Sequence, residues 1–98
     1  MMPRYVVLHH TDLPEGDHYD LMLERDGALA TWRVDFPALS NSRRIQDHRL
    51  DYLTIEGPIS RGSVKRVAEG AYEVESWTDA GVRVRIGGRD VTLTASPS

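Results

Sequence analysis

Short segments that alternate between apolar and polar residues, each followed by turn residues, recur along the chain and predict β-strands. Residues 5–8, His18–Arg25 and Ala28–Asp35 are rich in side chains that suit a pleated sheet. Asp26-Gly27 separates the last two and is a strong hairpin signal. Further strands are predicted around glycines, at residues 63–69, 71–77, 82–86 and 90–95.

Two stretches lack a clear period. Residues 36–47 are rich in turn formers and predict a loop with at most one helical turn. Residues 47–62 are interrupted by Gly57, Pro58 and Gly62, and residues 96–98 are expected to form a frayed tail. About seven short strands predict a mostly all-β fold, a small antiparallel β-barrel or strongly curled sheet with irregular connecting loops.

Length and composition narrow the class of protein. We expect the 98 residues to form a single domain, 1–98. The chain has no Cys, which excludes disulfides and thiolate metal sites. No apolar run is long enough for a membrane helix, and the N-terminus lacks a signal-peptide pattern, so a cytoplasmic location is expected. A net charge of −3 argues against a broad basic face for nucleic acid, but it allows a site for one phosphate.

The strand His18–Arg25 predicts one apolar face and one unusual face. Residues two apart on a strand point the same way, so the odd-numbered positions form an apolar face typical of a core. The even-numbered positions carry His18, Asp20, Met22 and Glu24, and we expect that face to be solvent or a site.

The preceding strand ends in His9-His10 and can pair with this one across the loop at residues 11–17. One of its two imidazoles would then lie beside His18. Two imidazoles and the Asp20 carboxylate form a three-point ligand set that leaves open positions and suits Mn, Fe or Zn. The alternative is a set of polar residues on a half-exposed strand.

A second polar cluster lies at residues 46–52, which include His48 and Tyr52, with Arg43 and Arg44 just upstream. Such side chains can bind a phosphate oxygen or donate to developing negative charge. The alternative is a turn capped by Asp side chains, with Tyr52 packed inward.

Motifs from both clusters occur in one order along residues 4–77. After a valine-rich strand that ends in His come His18-Tyr19-Asp20-Leu21-Met22-Leu23-Glu24, Asp26-Gly27, Trp32, Asp47-His48-Arg49-Leu50-Asp51-Tyr52 and Ile55-Glu56-Gly57-Pro58-Ile59. This ordered set resembles the 3′-phosphoesterase domain of bacterial DNA ligase D.

The resemblance implies a compact β-barrel with a divalent metal in its mouth, usually Mn²⁺, with Zn²⁺ or another ion as alternatives. It implies a metal-dependent phosphoesterase that acts in DNA repair on 3′-phosphate or 3′-ribonucleotide ends of nucleic acid, or on another phosphate ester. His10, His18 and Asp20 are expected to bind the metal. His48 and Tyr52 are expected to engage the scissile phosphate, His48 as a ligand or as an acid. The upstream Arg of the family corresponds to Arg43 or Arg44.

Several positions depart from the family pattern. Met22 replaces an Arg, and Asp35-Phe36-Pro37 replaces a segment containing Lys. The interval from His10 to His18 is two residues longer, so His9 and Asp12 rival His10 as the first ligand. Arg33 is either an exposed strand arginine or a substitute cation. These losses suggest an alternative function, a weakened or inactive relative that binds DNA ends or DNA-repair proteins.

Overall fold

Strands make up most of residues 2–95, the part of the chain that a computed structural model describes. The expected tail at residues 96–98 lies outside this range. The strands are β1 Arg4–Thr11, β2 His18–Arg25, β3 Ala28–Asp35, β4 Ser40–His48, β5 Gly57–Pro58, β6 Ser63–Thr78, β7 Gly81–Ile86 and β8 Arg89–Leu93. A short 3₁₀ helix, Leu50–Leu53, lies between β4 and β5. The prediction of a mostly all-β fold is confirmed.

The strands form one antiparallel sheet in the order β4-β3-β2-β1-β6-β7-β8, and β5 pairs with the start of β6. The sheet curls into a half-barrel, so that its two edges approach each other. Trp32 Nε1 donates to the Thr94 carbonyl at 2.7 Å, and the Thr94 N–H donates to Ser42 Oγ at 3.1 Å. Side chains of β3 and β4 therefore hold the chain just beyond β8, which agrees with the predicted curled sheet.

Two hydrophobic cores lie on opposite faces of the sheet. The larger core contains the odd-numbered apolar residues of β2 and is closed by β7 and β8. The smaller core contains Val6, Leu8, Met22, Leu29 and Val64, and it is covered by Tyr52, Leu53, Ile55 and Ile59. The irregular segment after β4 thus acts as a lid over the second face of the sheet.

This second core corrects the expectation for β2. Met22 is only 2% exposed, so its part of the even-numbered face is neither solvent nor site but core. Because residues after His48 fold back over the sheet, both faces of β2 are buried at its centre. The polar residues His18 and Asp20 lie at the end of that face which the cover leaves open to a cavity.

Two predicted boundaries are wrong. Residues 40–48 form β4 rather than a loop; this polar edge strand pairs with β3 through two irregularities in register, which hide its alternation. β6 runs through Gly70 without a break. A Cβ at Gly70 would lie 3.1 Å from Tyr5 Cε1, so glycine here marks the close packing of an aromatic ring rather than a turn.

Other boundaries agree or differ by a few residues: β1 extends beyond the predicted 5–8 to Arg4–Thr11, and β8 is Arg89–Leu93 rather than 90–95. β2 and β3 have the predicted limits and are joined at Asp26-Gly27, and β7 and β8 are joined at Gly87-Gly88. Among residues 2–95, no helix is long and apolar enough to cross a membrane.

Candidate functional site

Three possible metal ligands meet where β1 ends and β2 begins. His10 pairs directly with His18 across the two strands, and Asp20 lies two residues further along the same face of β2. His18 Nε2 lies 3.2 Å, and His10 Nδ1 4.0 Å, from Asp20 Oδ2. One ligand atom from each residue lies within 4.8 Å of those from the other two. The sheet register therefore assembles a set of two imidazoles and one carboxylate.

The geometry separates His10 from its two rivals. His9 projects to the opposite face, where its ring stacks on Tyr19 at a centroid distance of 4.3 Å. Asp12 is exposed in the loop after β1, and the group of possible ligands found among residues 2–95 does not include it. The alternation of the strand, together with the register of β1 against β2, places His10, and not His9, beside His18 and Asp20.

A backbone contact orients the His10 ring. Because a carbonyl can only accept, His10 Nε2 must donate to the Arg61 carbonyl, which lies 2.8 Å away. In the neutral ring Nδ1 then keeps its lone pair, and Nδ1 is the nitrogen that faces Asp20. Gly62 makes this approach possible: its φ is +74°, and a Cβ there would overlap the Thr11 carbonyl oxygen.

Asp20 is a buried carboxylate with unused hydrogen-bonding capacity. It is 4% exposed, and its Oδ1 has no hydrogen-bond partner among the described residues. Buried polar atoms are rarely left without a partner, so this oxygen needs one that the protein itself does not supply. A divalent cation bound here would meet that need, and the nitrogen and oxygen donors fit Mn, Fe or Zn.

The surroundings of His18 favour its neutral form. Burial lowers the pKa of His18, and the nearby Arg33 and His10 lower it further, while Asp20 opposes them. Arg33 Nη2 lies 3.3 Å from His18 Nε2. Since a metal binds the deprotonated imidazole, this lowered pKa favours the form of His18 that can act as a ligand.

A cavity of about 400 Å³ opens beside these three residues. It is lined by His10, Leu13, Glu15, His18, Asp20, Arg33, Ile45, Gln46, His48 and Arg61. The cavity size is typical of a small-molecule site. The structure thus brings His48, predicted in a separate cluster, to the same cavity as His10, His18 and Asp20.

Two hydrogen bonds through Thr31, which we call the Thr31 relay, hold the His48 ring. Thr31 Oγ1 lies 2.9 Å from the Leu29 carbonyl and 3.0 Å from His48 Nδ1. The carbonyl can only accept, so the Thr31 hydroxyl donates to it and both bonds form together only if His48 Nδ1 donates to Thr31. His48 Nε2 is then left as an acceptor when the ring is neutral and as a second donor when it is protonated.

The remaining predicted site residues lie in different places. Tyr52 packs on the smaller core and forms a T-shaped pair with His48, with ring centroids 5.2 Å apart. Arg44 lies on the opposite face, with its guanidinium 4.6 Å from the Trp32 ring centroid and 2.9 Å from Asp47 Oδ1. The structure therefore places Arg44 outside the candidate site. Arg43 lines a neighbouring cavity.

Arg33 is the main residue that the sequence analysis undervalued. It is half-buried and faces both His18 and the cavity, so its interpretation as an exposed strand arginine is wrong. The signal was present, because the hairpin at Asp26-Gly27 pairs Arg33 directly with Asp20. Arg61 and Glu15 were also missed, and they form an ion pair of 3.2 Å between the two loops that border the cavity.

Fold and site together define a small curled β-sheet protein with a two-histidine, one-carboxylate centre beside a cavity. No protein-family model matches the chain. It is 35% identical to the multifunctional non-homologous end joining protein LigD of Mycobacterium bovis over an alignment of 82 residues. The alignment covers 72% of this chain. A LigD DNA repair protein of Mycobacterium tuberculosis shows the same identity and coverage, and one from another strain is 34% identical. The chain spans about a tenth of these relatives, since the match covers 10% of their length.

Proposed function

We propose that this protein is a metal-dependent phosphoesterase that removes 3′-phosphates or 3′-ribonucleotides from nucleic-acid ends in DNA repair. The observation that carries the proposal is the convergence of His10, His18, Asp20 and His48 on one cavity. The likeness to proteins named for non-homologous end joining supports nucleic acid as the substrate.

The residues around the cavity suit this chemistry. A divalent cation held by His10, His18 and Asp20, with Mn²⁺ our first choice, would supply a Lewis acid for phosphate oxygens. Arg33 presents a half-buried guanidinium, which binds phosphate oxygens in a fork geometry. His48 Nε2 is free of the Thr31 relay, so the protonated ring can donate to the leaving oxygen.

Phosphate release from a DNA primer tests the proposal. With Mn²⁺ and a 3′-phosphate primer, we expect a 3′-hydroxyl primer and inorganic phosphate, formed by one water per ester bond. His18→Ala should abolish the reaction. His9→Phe is the matched control, because it removes an imidazole from the other face but keeps a ring stacked on Tyr19, and it should retain activity. Failure of the folded wild type to process 3′-phosphate or 3′-ribonucleotide ends with Mn²⁺ or Zn²⁺ would overturn the proposal.

One observation favours a second candidate, a module that binds DNA ends without turnover. The resembling family has an Arg at the position of Met22, and Met22 here is fully enclosed in the smaller core. The site therefore has one cation fewer with which to stabilise a reacting phosphate. Binding of a labelled 3′-phosphate strand can be measured by fluorescence anisotropy. Tight binding with no phosphate released would favour this candidate.

A further inference from the structure

A second cavity, of about 510 Å³, adjoins the first at the end of the sheet where β2 begins, β3 ends and β4 begins. His18 and Arg33 line both cavities, so the two are neighbours across these side chains. The other residues that line it include Tyr19, Phe36 and Arg43. A ligand whose phosphate lies beside His18 can therefore extend into this second cavity.

Two aromatic rings, Tyr19 and Phe36, line the second cavity, and a third ring, His9, stacks on Tyr19 without lining the cavity. The rings of His9, Tyr19 and Phe36 stack in a row, with centroid distances of 4.3 Å and then 5.1 Å. Phe36 is the last ring of the row and is half-buried. A stacked row fixes the orientation of its terminal ring, and such rings bind nucleobases through their faces regardless of sequence.

Charged groups of both signs complete the lining. Arg33 and Arg43 lie directly opposite each other on β3 and β4. Both guanidinium groups line the cavity, where their N–H donors can bind the oxygens of a phosphodiester. Asp17 and Asp35 also line the cavity, and Asp35 Oδ2 accepts a 2.7 Å hydrogen bond from Asn41. Carboxylates accept from the N–H groups of bases, so this lining suits a nucleotide better than a bare anion.

We propose that the second cavity binds the terminal nucleoside of the substrate strand, whose 3′-phosphate lies in the first cavity. Its base stacks on Phe36, and Arg43 faces the phosphodiester on its 5′ side. This inference rests on the proposed function and extends it, since it assigns base-dependent but sequence-tolerant recognition of the strand end.

An abasic strand isolates the contribution of the base. Two oligonucleotides with a 3′-phosphate are compared, one with a normal terminal thymidine and one with a tetrahydrofuran residue there. Binding to metal-free protein is followed by NMR, because Mn²⁺ would broaden the signals. We expect the normal strand to bind about tenfold more tightly and to shift the Phe36 ring signals.

Phe36→Leu keeps the apolar volume but removes the ring, so it should bring the two affinities close together. Trp77→Leu is the control, because Trp77 is also half-buried but lines neither cavity. Arg43→Gln should weaken binding of the strand, but not binding of thymidine 3′-monophosphate, which lacks the 5′ phosphodiester. Because Arg43 is exposed, Arg43→Gln should fold normally, and it tests the proposal even if Phe36→Leu fails to fold.

Equal affinity of wild-type protein for the two strands would overturn the inference, as would an undiminished preference for thymidine in folded Phe36→Leu. Because this comparison uses binding alone, it decides the inference even if no ester is hydrolysed. An active enzyme that ignores the terminal base would leave the proposed function intact and remove only the second subsite.

Discussion

Replacing Asp20 with Asn should remove most of the stabilisation expected from a divalent cation at the proposed metal centre. Asn keeps the shape of the side chain but loses the negative charge that the buried Oδ1 and Oδ2 offer next to two imidazoles. The metal-free protein should lose about 1–3 kcal/mol, because Asn can keep one oxygen towards His18 Nε2 but then places a buried NH2 where Oδ1 has no partner among residues 2–95.

The size of the effect follows from binding linkage. At a metal concentration of 100 times Kd, binding to the folded state alone stabilises a protein by about 2.7 kcal/mol. For a domain of this size, that corresponds to a rise in Tm of roughly 10–20 °C. A 100-fold loss of affinity, the upper end of what even an outer-shell change costs, would reduce the gain to about 0.4 kcal/mol, or roughly 2–3 °C.

Thermal unfolding with increasing Mn²⁺ measures this directly. Asp12→Asn is the matched control: the loss of charge is the same, but Asp12 is an exposed residue outside the ligand group, so its Mn²⁺-dependent rise in Tm should equal that of wild type. An Asp20→Asn protein that gains as much from Mn²⁺ as wild type would refute the assignment of the metal centre.

Three further substitutions have definite expected outcomes. Thr31→Val should cost about 1–3 kcal/mol in urea unfolding and slow phosphate release, because the His48 and Leu29 groups lose their buried partner; Thr31→Ser should restore both, and equal behaviour of Val and Ser would contradict the relay. Gly62→Ala should cost about 1–3 kcal/mol in the same assay and weaken Mn²⁺ binding, because the left-handed backbone beside His10 must shift; unchanged affinity would contradict this. Tyr72→Phe should cost about 1 kcal/mol at neutral pH, since the hydroxyl donates to the Glu24 carbonyl at 2.7 Å. Burial raises the pKa of Tyr72, so its contribution is complete below pH ~10 and is lost as pH rises through the higher folded value; stability curves from pH 8 to 12 should fall less steeply for Phe, and parallel curves would contradict this.

The sequence predicted the strands whose alternation is regular and whose turns are specific. β2 and β3 were predicted to the residue because Asp26-Gly27 sets both their limits and their register. The grouping of His18 with Asp20 followed from that period of two. His48 was predicted in a separate polar cluster, and the sequence could not place it beside His18, because its position at the cavity depends on the irregular pairing of β4 with β3.

The parts that were missed depend on tertiary contacts. β4 is an edge strand with polar residues and an irregular register, so it lacks a period that sequence can show. Gly70 was predicted as a break between strands. The Tyr5 ring, which fills the space where a side chain at position 70 would lie, comes from a strand that is far away in the sequence. Met22 was predicted on an open face because the cover over it, residues 49–62, has no pattern of its own. Arg44 was predicted at the site, and only the paired strand shows that it points to Trp32.

The two cores on opposite faces of the sheet divide the residues of β2 between two tasks. Every second side chain, Tyr19, Leu21 and Leu23, belongs to the larger core, while His18 and Asp20 face the cavity. Deleting one residue within this strand would therefore exchange the two sets, turning the imidazole and carboxylate into the larger core. Substitutions in β2 leave its alternation unchanged, so they can alter the site without disrupting the core. An insertion or deletion of one residue in β2 would disrupt both the site and the core.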